Sequence, residues 1–330
     1  MSRVSDRLNR LSYSQTFVMS NKARDMKAAG IDVISLTLGE PDFDVPDNIK
    51  KAAFDAINEN YSHYSPVPGF LELRKAIVNK LKRDNNLDYK PTQICVANGA
   101  KQNIFNVLAA LVNEGDEVIL PAPYWVSYDE MVKINGGVSV FIETNIDTEF
   151  KMTAEQLEAA ITPKTKAVLY SSPCNPSGSY YTREELEKIA NVMAKYPDVV
   201  IISDEIYEFI NYDGEHVSIA EFPQVFNQTA VINGMSKAFA MTGWRIGYSA
   251  CPQWLADACD KLQGQVTSGA NTVAQRASIV GLETDPKDYY YMVESFEKRR
   301  NLVYELLKEV PGFKVNLPKA AFYFFPDISY

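Results

Sequence analysis

A serine, a lysine and an arginine lie close together in residues 236–247, whose sequence is SKAFAMTGWRIG. A β-type run at 229–233 and then Gly234 precede Lys237, so the lysine amine is expected beyond a strand end, after a tight turn. Strand ends are where α/β enzymes place their chemistry. Partial burial and the charge of Arg245 would lower the pKa of Lys237 toward neutrality. Lys237 is therefore a candidate to form a Schiff base with an aldehyde.

A carboxylate follows a strand that is predicted to be buried. The run VVIIS at 199–203 is apolar without alternation, which is typical of a strand covered on both faces. It leads directly into Asp204, with Tyr207 three positions on. An acid at such a place is costly unless it faces a cation, so Asp204 is a better functional candidate than a surface acid.

A possible phosphate-binding turn lies at 98–102, NGAKQ, between a predicted strand at 94–97 and a predicted helix that reaches residue 111. The free N–H groups and the dipole of a helix N-terminus bind anions. The same residues could also form an ordinary connection between a strand and a helix, and the pattern alone leaves both interpretations open.

Proline-containing loops supply further polar and aromatic candidates. Trp125 ends the run PAPYW and could stack on a flat ring or pack in the core. Asn175 precedes a proline, so it is not helical, and its amide is held at a strand end. Gly39 opens a loop that either presents its backbone to a substrate or is a plain connector. Tyr64 is either a polar contact or, as its residue type favours, an ordinary packed aromatic.

Length and composition exclude several classes of protein. A chain of 330 residues can hold a full core and two domains, and its 46% hydrophobic and 23% charged residues are ordinary for a globular protein. No apolar run reaches the roughly 18 residues of a membrane span. A net charge of -9 disfavours nucleic-acid binding. The N-terminus has no secretory h-region, so the cytoplasm is the expected location.

Neither a metal site nor a histidine mechanism is predicted. The four cysteines show no CxxC spacing and no histidine close in sequence. Of the two histidines, His63 and His216, neither lies in a catalytic motif. His216 is interpreted as a loop or surface residue.

Strands and helices alternate from about 93 to 250, which predicts an α/β fold with a mostly parallel sheet and helices on both faces. After residue 250 this alternation stops. The sequence then predicts helical stretches at 254–283 and 286–307 and strand-like pieces at 313–315 and 321–325. This change predicts a second, smaller domain.

Taken together, the candidates match what pyridoxal 5'-phosphate requires. Its phosphate needs a helix N-terminus and an arginine, its aldehyde needs a lysine, and its ring nitrogen needs a carboxylate.

With these motifs, the sequence closely resembles the fold type I pyridoxal-phosphate aminotransferases of classes I and II, in the bacterial-type aspartate aminotransferase branch. The resemblance covers nearly the whole chain. It rests on GEPDFDVP at 39–46, NGAKQ at 98–102, PAPYWVSY at 121–128, SSPCNPSG at 171–178, SDEIYE at 203–208 and SKAFAMTGWRIGY at 236–248. It implies a seven-stranded, mostly parallel sheet sandwiched by helices, with a smaller α+β domain.

The resemblance also implies the roles of individual residues. Lys237 would carry the cofactor and shuttle the proton in a ping-pong transamination, and Asp204 would pair with the ring nitrogen. The other cofactor contacts that it implies are the phenolic-oxygen ligands Asn175 and Tyr207, the stacking ring of Trp125, and the phosphate ligands Gly99, Ala100, Lys101, Ser236 and Arg245. Tyr64 would reach the phosphate of a neighbouring subunit, which implies a homodimer with shared active sites.

The implied substrates are an amino acid and a 2-oxo acid. Thr16 and Lys101 match positions associated with a distal carboxylate, which favours aspartate or glutamate with an acceptor such as 2-oxoglutarate. Gly39, Asn175 and Trp125 complete the implied substrate contacts. Prephenate or aromatic substrates, a C–S lyase reaction and cofactor binding without turnover are the alternatives.

The resemblance divides the chain into an N-terminal arm with part of the small domain at 1–45, a large cofactor-binding domain at 46–284 and a C-terminal small domain at 285–330. The family's α-carboxylate arginine lies in the last part of the small domain, so the chain is expected to be truncated at its C-terminus and to lack that bidentate clamp.

Overall fold

The computed structural model describes residues 3–214 and 216–329. In these ranges one sheet is formed by β1 (Ile94–Ala97), β2 (Glu117–Ala122), β3 (Val138–Glu143), β4 (Thr165–Ser171), β5 (Val200–Asp204), β6 (Thr229–Gly234) and β7 (Gly247–Ala250). The strands lie in the order β1-β7-β6-β5-β4-β2-β3. Strand β7 is antiparallel to both of its neighbours, and the other pairs are parallel. The predicted seven-stranded, mostly parallel sheet is confirmed.

Helices precede, separate and follow the strands. In the described ranges they are α1 (Asp6–Asn9), α2 (Gln15–Ala28), α3 (Asp47–Asn58), α4 (Leu71–Asn85), α5 (Ala100–Leu111), α6 (Ser127–Ile134), α7 (Ala154–Ala160), α8 (Arg183–Met193), α9 (Pro223–Phe226), α10 (Met235–Ala238), α11 (Gln253–Val266), α12 (Thr272–Glu283) and α13 (Tyr290–Lys308).

Strand β5 shows why its sequence has no polar alternation. Ile202 packs into a core cluster with Leu108 of α5, whereas Ile201 packs into a second cluster with Ile189 of α8. Successive side chains of a strand point to opposite faces, so both faces of β5 are covered by helices. All five residues of the strand are buried. The helical layers on both sides of the sheet are thus confirmed.

The strand register brings three chain segments to one edge of the sheet. Asp204 at the end of β5 pairs with Ser171 of β4 on one side and with Ile232 of β6 on the other. Because the three strands are parallel, the loops that leave their carboxyl ends begin side by side. This edge therefore collects the residues after β4, β5 and β6.

The structure differs from the predicted elements in the last third of the chain. The helical stretch predicted at 254–283 is interrupted between α11 and α12, where the Asn271 side chain accepts a hydrogen bond from the Ala274 backbone and caps α12. The strand-like pieces predicted at 313–315 and 321–325 are wrong as strands. The described residues there form only isolated bridges, Lys314 with Asp327 and Asn211 with Ala320.

Within the described ranges, none of the helices combines the length and the apolar character needed to cross a membrane.

The two leucines Leu108 and Leu302 test where the core lies. Leu108 is fully buried against the sheet, whereas Leu302 on α13 is 62% exposed. We expect Leu108→Ala to lower the free energy of unfolding by about 2–5 kcal/mol, because a buried cavity remains. Leu302→Ala should change it by less than about 0.5 kcal/mol. Urea unfolding measures both values, and similar losses in the two variants would contradict this placement of the core.

Candidate active site

Lys237 lies on the short helix α10, directly after β6 and half-buried beside the edge of the sheet. Its Nζ donates a hydrogen bond of 2.5 Å to the backbone carbonyl of Gly39. Burial lowers the pKa of the Lys237 amine to about 8, and the charge of Arg245 acts in the same direction. The amine is therefore close to the state in which it can act as a nucleophile at neutral pH.

Asp204 is buried at the end of β5. The hydroxyl of Tyr128 donates to its Oδ2 at 2.6 Å, and the backbone N–H of Ile206 donates to its Oδ1 at 3.2 Å. Burial raises the pKa of Asp204 to about 6, and the Tyr128 hydrogen bond opposes that rise. Among the described residues no cation forms a salt bridge with this carboxylate, so it could still form one with a cationic ligand.

The turn before α5 has the geometry of an anion site. Gly99 has a φ of 88°, and a Cβ built on it would lie 2.5 Å from Nη2 of Arg245. The Arg245 guanidinium donates to the carbonyls of Thr242 at 2.8 Å and Asn98 at 3.2 Å. A glycine is therefore needed for the guanidinium to approach the turn.

An anion at this turn would meet several donors. The first backbone N–H groups of α5, at Ala100 and Lys101, have no acceptor within the helix. Arg245 forms no salt bridge with any carboxylate in the described part of the chain. Ser236 is buried on α10, one residue before Lys237. Helix N-termini with an arginine beside them favour phosphate.

Lys101 lies among aromatic rings. Its Nζ is 4.8 Å from the ring centroid of Trp125 and 5.9 Å from that of Phe17, which follows Thr16 on α2. Burial and the charge of Arg245 lower the pKa of Lys101. No carboxylate pairs with Lys101 in the ranges that the structure describes. Its ammonium is thus held near the turn without an internal counter-ion.

Three of the predicted residues converge on Tyr323, which sequence reasoning missed. The Tyr323 hydroxyl lies 2.5 Å from the hydroxyl of Tyr207 and accepts a hydrogen bond of 3.3 Å from Nδ2 of Asn175. A Cβ on Gly39 would collide with the same hydroxyl. Tyr323 sits in an aromatic run that the sequence analysis assigned to a strand, and no local signal marks its contact with a residue more than a hundred positions away.

Tyr128 was also missed as a site residue. It lies within the PAPYWVSY motif, three positions after Trp125, and its ring meets the Trp125 ring edge-on with centroids 5.5 Å apart. The one available signal was its place on α6, just beyond the predicted aromatic cluster.

Tyr64 is not brought to the other candidates within one chain. Its side chain is 96% exposed, so the packed-aromatic interpretation is wrong for the single subunit. Thr16 lies on the first turn of α2 and is half-buried.

The arrangement fits pyridoxal 5'-phosphate. A cradle that only glycine permits faces an arginine at a helix N-terminus, a buried acid forms no salt bridge within the described ranges, and a lysine with a lowered pKa lies near that acid. These are the three groups that the cofactor's phosphate, ring nitrogen and aldehyde require.

Comparison with known proteins agrees with this chemistry. Residues 31–330 match the family described as aminotransferase class I and II. The chain is 48% identical over 329 residues to a probable aspartate/prephenate aminotransferase of Rhizobium leguminosarum bv. phaseoli, covering 99% of this chain and 82% of that protein. It is also 48% identical to an aspartate aminotransferase of Bacillus sp. (strain YM-2), covering 99% of this chain and 83% of that protein.

Solved structures give the same result. The aspartate aminotransferase of Rhizobium meliloti superposes with a TM-score of 0.96 at 41% identity, covering 100% of this chain and 83% of that one. The Thermus thermophilus aspartate aminotransferase with maleate superposes with a TM-score of 0.95 at 39% identity, covering 99% of this chain and 85% of that one. The chain belongs to the class I and II aminotransferases.

Proposed function

We propose that this aminotransferase moves an amino group between aspartate or glutamate and a 2-oxo acid such as 2-oxoglutarate, with pyridoxal 5'-phosphate as its cofactor. One observation carries the proposal: Lys237, with a pKa lowered to about 8, shares a sheet edge with a buried acid that forms no salt bridge among the residues described. The lysine amine suits the aldehyde of this cofactor, and the acid suits its ring nitrogen.

The cofactor would be held by residues of several loops. Its phosphate would bind the turn of Gly99, Ala100 and Lys101, with Ser236 and Arg245 beside it. Its ring would stack on Trp125 and place its nitrogen at Asp204, with its phenolic oxygen at Asn175 and Tyr207. When bound, pyridoxal phosphate supplies an aldehyde for an amine and a ring that withdraws electrons from the substrate Cα.

Lys237 would be both the attachment point and the base. Once the substrate's amino group had taken its place, the freed Lys237 amine would take up the proton of the substrate Cα and act as its carrier. The lowered pKa suits this work, because a base acts best when its pKa is near the working pH. A single lysine can serve both transfers, so no histidine is needed.

The distal end of the substrate would meet Lys101 and Thr16. Lys101 is a partly buried cation without an internal carboxylate partner in the described ranges, so the distal carboxylate of aspartate or glutamate would complete its charge balance. The Thermus thermophilus relative was solved with maleate, which is also a dicarboxylate. The α-carboxylate would bind at Gly39 and Asn175.

Prephenate is the second candidate substrate. The Rhizobium leguminosarum relative and that of Cereibacter sphaeroides, 46% identical over 331 residues, are both named aspartate/prephenate aminotransferases. Prephenate also carries a carboxylate beyond its keto acid, so Lys101 suits both. Competition between prephenate and 2-oxoglutarate as acceptors tests this choice.

We propose a homodimer with shared active sites, located in the cytoplasm. Tyr64 and Tyr13 are large aromatic side chains with 96% and 88% of their surface exposed, which suits cover by a second subunit. In that assembly Tyr64 would reach the phosphate of the partner subunit. Sedimentation of the purified chain tests the assembly.

We also propose the domain division at 1–45, 46–284 and 285–330. The ring of Phe43 packs edge-on against Phe296 of α13 with centroids 5.3 Å apart, and Arg299 of α13 pairs with Asp42 at 2.7 Å. These contacts support grouping the end of the N-terminal arm with the C-terminal segment. Limited proteolysis near 45 and 284 tests the boundaries.

The half-reaction tests the proposed function directly. The purified chain is loaded with pyridoxal phosphate, its visible absorption is recorded, and aspartate is added. Loss of the visible band with formation of oxaloacetate and pyridoxamine phosphate supports transamination. A C–S lyase would instead release pyruvate from a sulfur amino acid without an oxo-acid acceptor, and a band that no amino acid alters would indicate binding without turnover.

The lowered pKa of Lys237 predicts how cofactor loading depends on pH. The protonated amine has no lone pair, so loading should be slow at low pH and should rise with a midpoint near pH 8, where the pKa of the buried amine lies. An ordinary lysine would place the midpoint about two units higher. Stopped-flow absorbance of the chain mixed with pyridoxal phosphate measures the profile, with Lys237→Ala as the blank. A midpoint near pH 10 would contradict the account.

Tyr128 should strengthen cofactor binding through Asp204. Without its hydroxyl the pKa of Asp204 rises further, and the ring nitrogen meets a less charged partner. We expect Tyr128→Phe to weaken pyridoxal phosphate binding about tenfold, since a hydrogen bond to a charged group contributes roughly 1.5–3 kcal/mol. Tyr170→Phe is the matched control, because Tyr170 is equally buried but bonds Ser203. Equal affinities in the two variants would contradict a role of Tyr128 in cofactor binding.

Lys101 should select for a distal carboxylate. We expect Lys101→Ala to lower kcat/KM for aspartate by about a hundredfold and for phenylalanine by less than about threefold, because only aspartate offers the lysine a charge to pair with. Lys133→Ala, which removes a lysine paired with Asp129 on α6, controls for loss of charge. Equal losses for the two substrates would count against the assignment.

A further inference from the structure

The candidate site is backed by a buried polar cluster centred on Glu208, to which the sequence analysis gave no role. Lys80 of α4 forms a buried ion pair with the Glu208 carboxylate. Nδ2 of Asn85 donates to Oε2 of Glu208 at 2.7 Å, and Nδ2 of Asn233 donates to Oε1 at 2.8 Å. One carboxylate thus binds three donors: Lys80 and Asn85 belong to helix α4, and Asn233 belongs to strand β6.

Glu208 and Asn233 each lie next to site residues along the chain. Glu208 directly follows Tyr207 in the segment that begins with Asp204. Asn233 is the last residue but one of β6, four positions before Lys237, and its Oδ1 accepts a hydrogen bond of 2.7 Å from the Gly234 backbone. The contact between the two side chains therefore connects the segment of the acid to the segment of the lysine.

Packing alone does not fill the space between these segments. A narrow cavity is lined by Glu208 and Asn233 together with Met235 and Ala238 of α10. The hydrogen bond from Asn233 to Glu208 lies at the wall of this cavity, next to the residues that begin α10.

The Glu208 carboxylate is charged despite its burial. Burial alone would raise its pKa, but the charges of Lys80 and His216 keep the pKa of Glu208 below its ordinary value. The neighbouring Glu205 is balanced in turn by His216, whose Nε2 lies 3.0 Å from it. Hydrogen bonds to an ionised acceptor are the stronger and shorter ones.

We infer that Glu208 and Asn233 are positioning residues for transamination. Through Asn233, the Glu208 carboxylate holds the Lys237 segment at a fixed distance from Asp204, where the cofactor's ring nitrogen would bind. That distance decides whether the amine reaches the substrate Cα, and a misplacement of about 1 Å can cost a hundredfold in rate. The inference rests on the proposed function and adds residues that touch neither cofactor nor substrate.

The two asparagines on Glu208 allow a matched test. Asn233 and Asn85 are both 3% exposed, and each donates one hydrogen bond to the same carboxylate. Each also accepts one hydrogen bond, Asn233 from Gly234 and Asn85 from Lys80. Asn85 ends α4, and its side-chain hydrogen bonds within the described ranges go to Lys80 and Glu208 and not to the Lys237 segment. Asn233→Ala and Asn85→Ala therefore remove equivalent bonds, but only the first releases the lysine segment.

The experiment measures kcat and KM for aspartate, the pH titration of the visible band of bound pyridoxal phosphate, and urea unfolding of both variants and the wild type. We expect similar losses of stability in the two variants. Only Asn233→Ala should lower kcat by about tenfold or more, with KM changed by less than about threefold, and only it should shift the midpoint of the band's titration.

Equal effects of the two variants on kcat and on the titration, in an active wild type, would overturn this inference alone and leave the cluster a structural one. A wild type that shows no visible band of bound pyridoxal phosphate, or no turnover, would contradict the proposed function and with it this inference. If Asn233→Ala does not fold, Asn233→Ser and Asn85→Ser are compared in the same way, because serine keeps a hydroxyl but is too short to reach Glu208.

Discussion

A buried carboxylate that forms no salt bridge with any residue the structure describes is the constraint on which the rest of this site depends. Asp204 has a tyrosine hydroxyl and a backbone N–H as partners, and burial raises its pKa to about 6. Such a group costs stability unless a cation joins it, so a ligand that brings positive charge would offset that cost. We propose that a protonated ring nitrogen brings this charge and that the lysine beside it provides the covalent attachment.

The sheet topology places the partners around this acid. Parallel strands β4, β5 and β6 end side by side, so the residues after them meet at one edge. Strand β7 runs back antiparallel to β6, and Gly247 at its start packs so closely on the N-terminus of α5 that a Cβ would collide with Ala100. This return brings Arg245 to the turn that precedes α5. One sheet thus positions both the turn that could bind an anion and the buried acid that could bind a cation.

Much of this arrangement could be predicted from the sequence. Unbroken apolar runs followed by polar residues indicated buried strands, and Lys237 and Asp204 were predicted in this way as site residues beyond the strand ends. Residues whose roles depend on contacts with distant parts of the chain could not be predicted. Tyr323 meets Asn175 and Tyr207 only after folding. His216 was interpreted as a loop or surface residue. It does lie in a loop, but its imidazole is buried against Glu205, a contact that no local pattern marks. Likewise, the break between α11 and α12 depends on one asparagine cap.

The most direct test of the central claim is the protonation of the cofactor's ring nitrogen. Pyridoxal phosphate labelled with ¹⁵N in the ring is bound to the wild type and to Asp204→Asn, and the ¹⁵N chemical shift is measured by NMR from pH 6 to 9. The account predicts a protonated nitrogen throughout this range in the wild type and an unprotonated one in the variant. An unprotonated nitrogen in the wild type, or the same shift in both proteins, would contradict it.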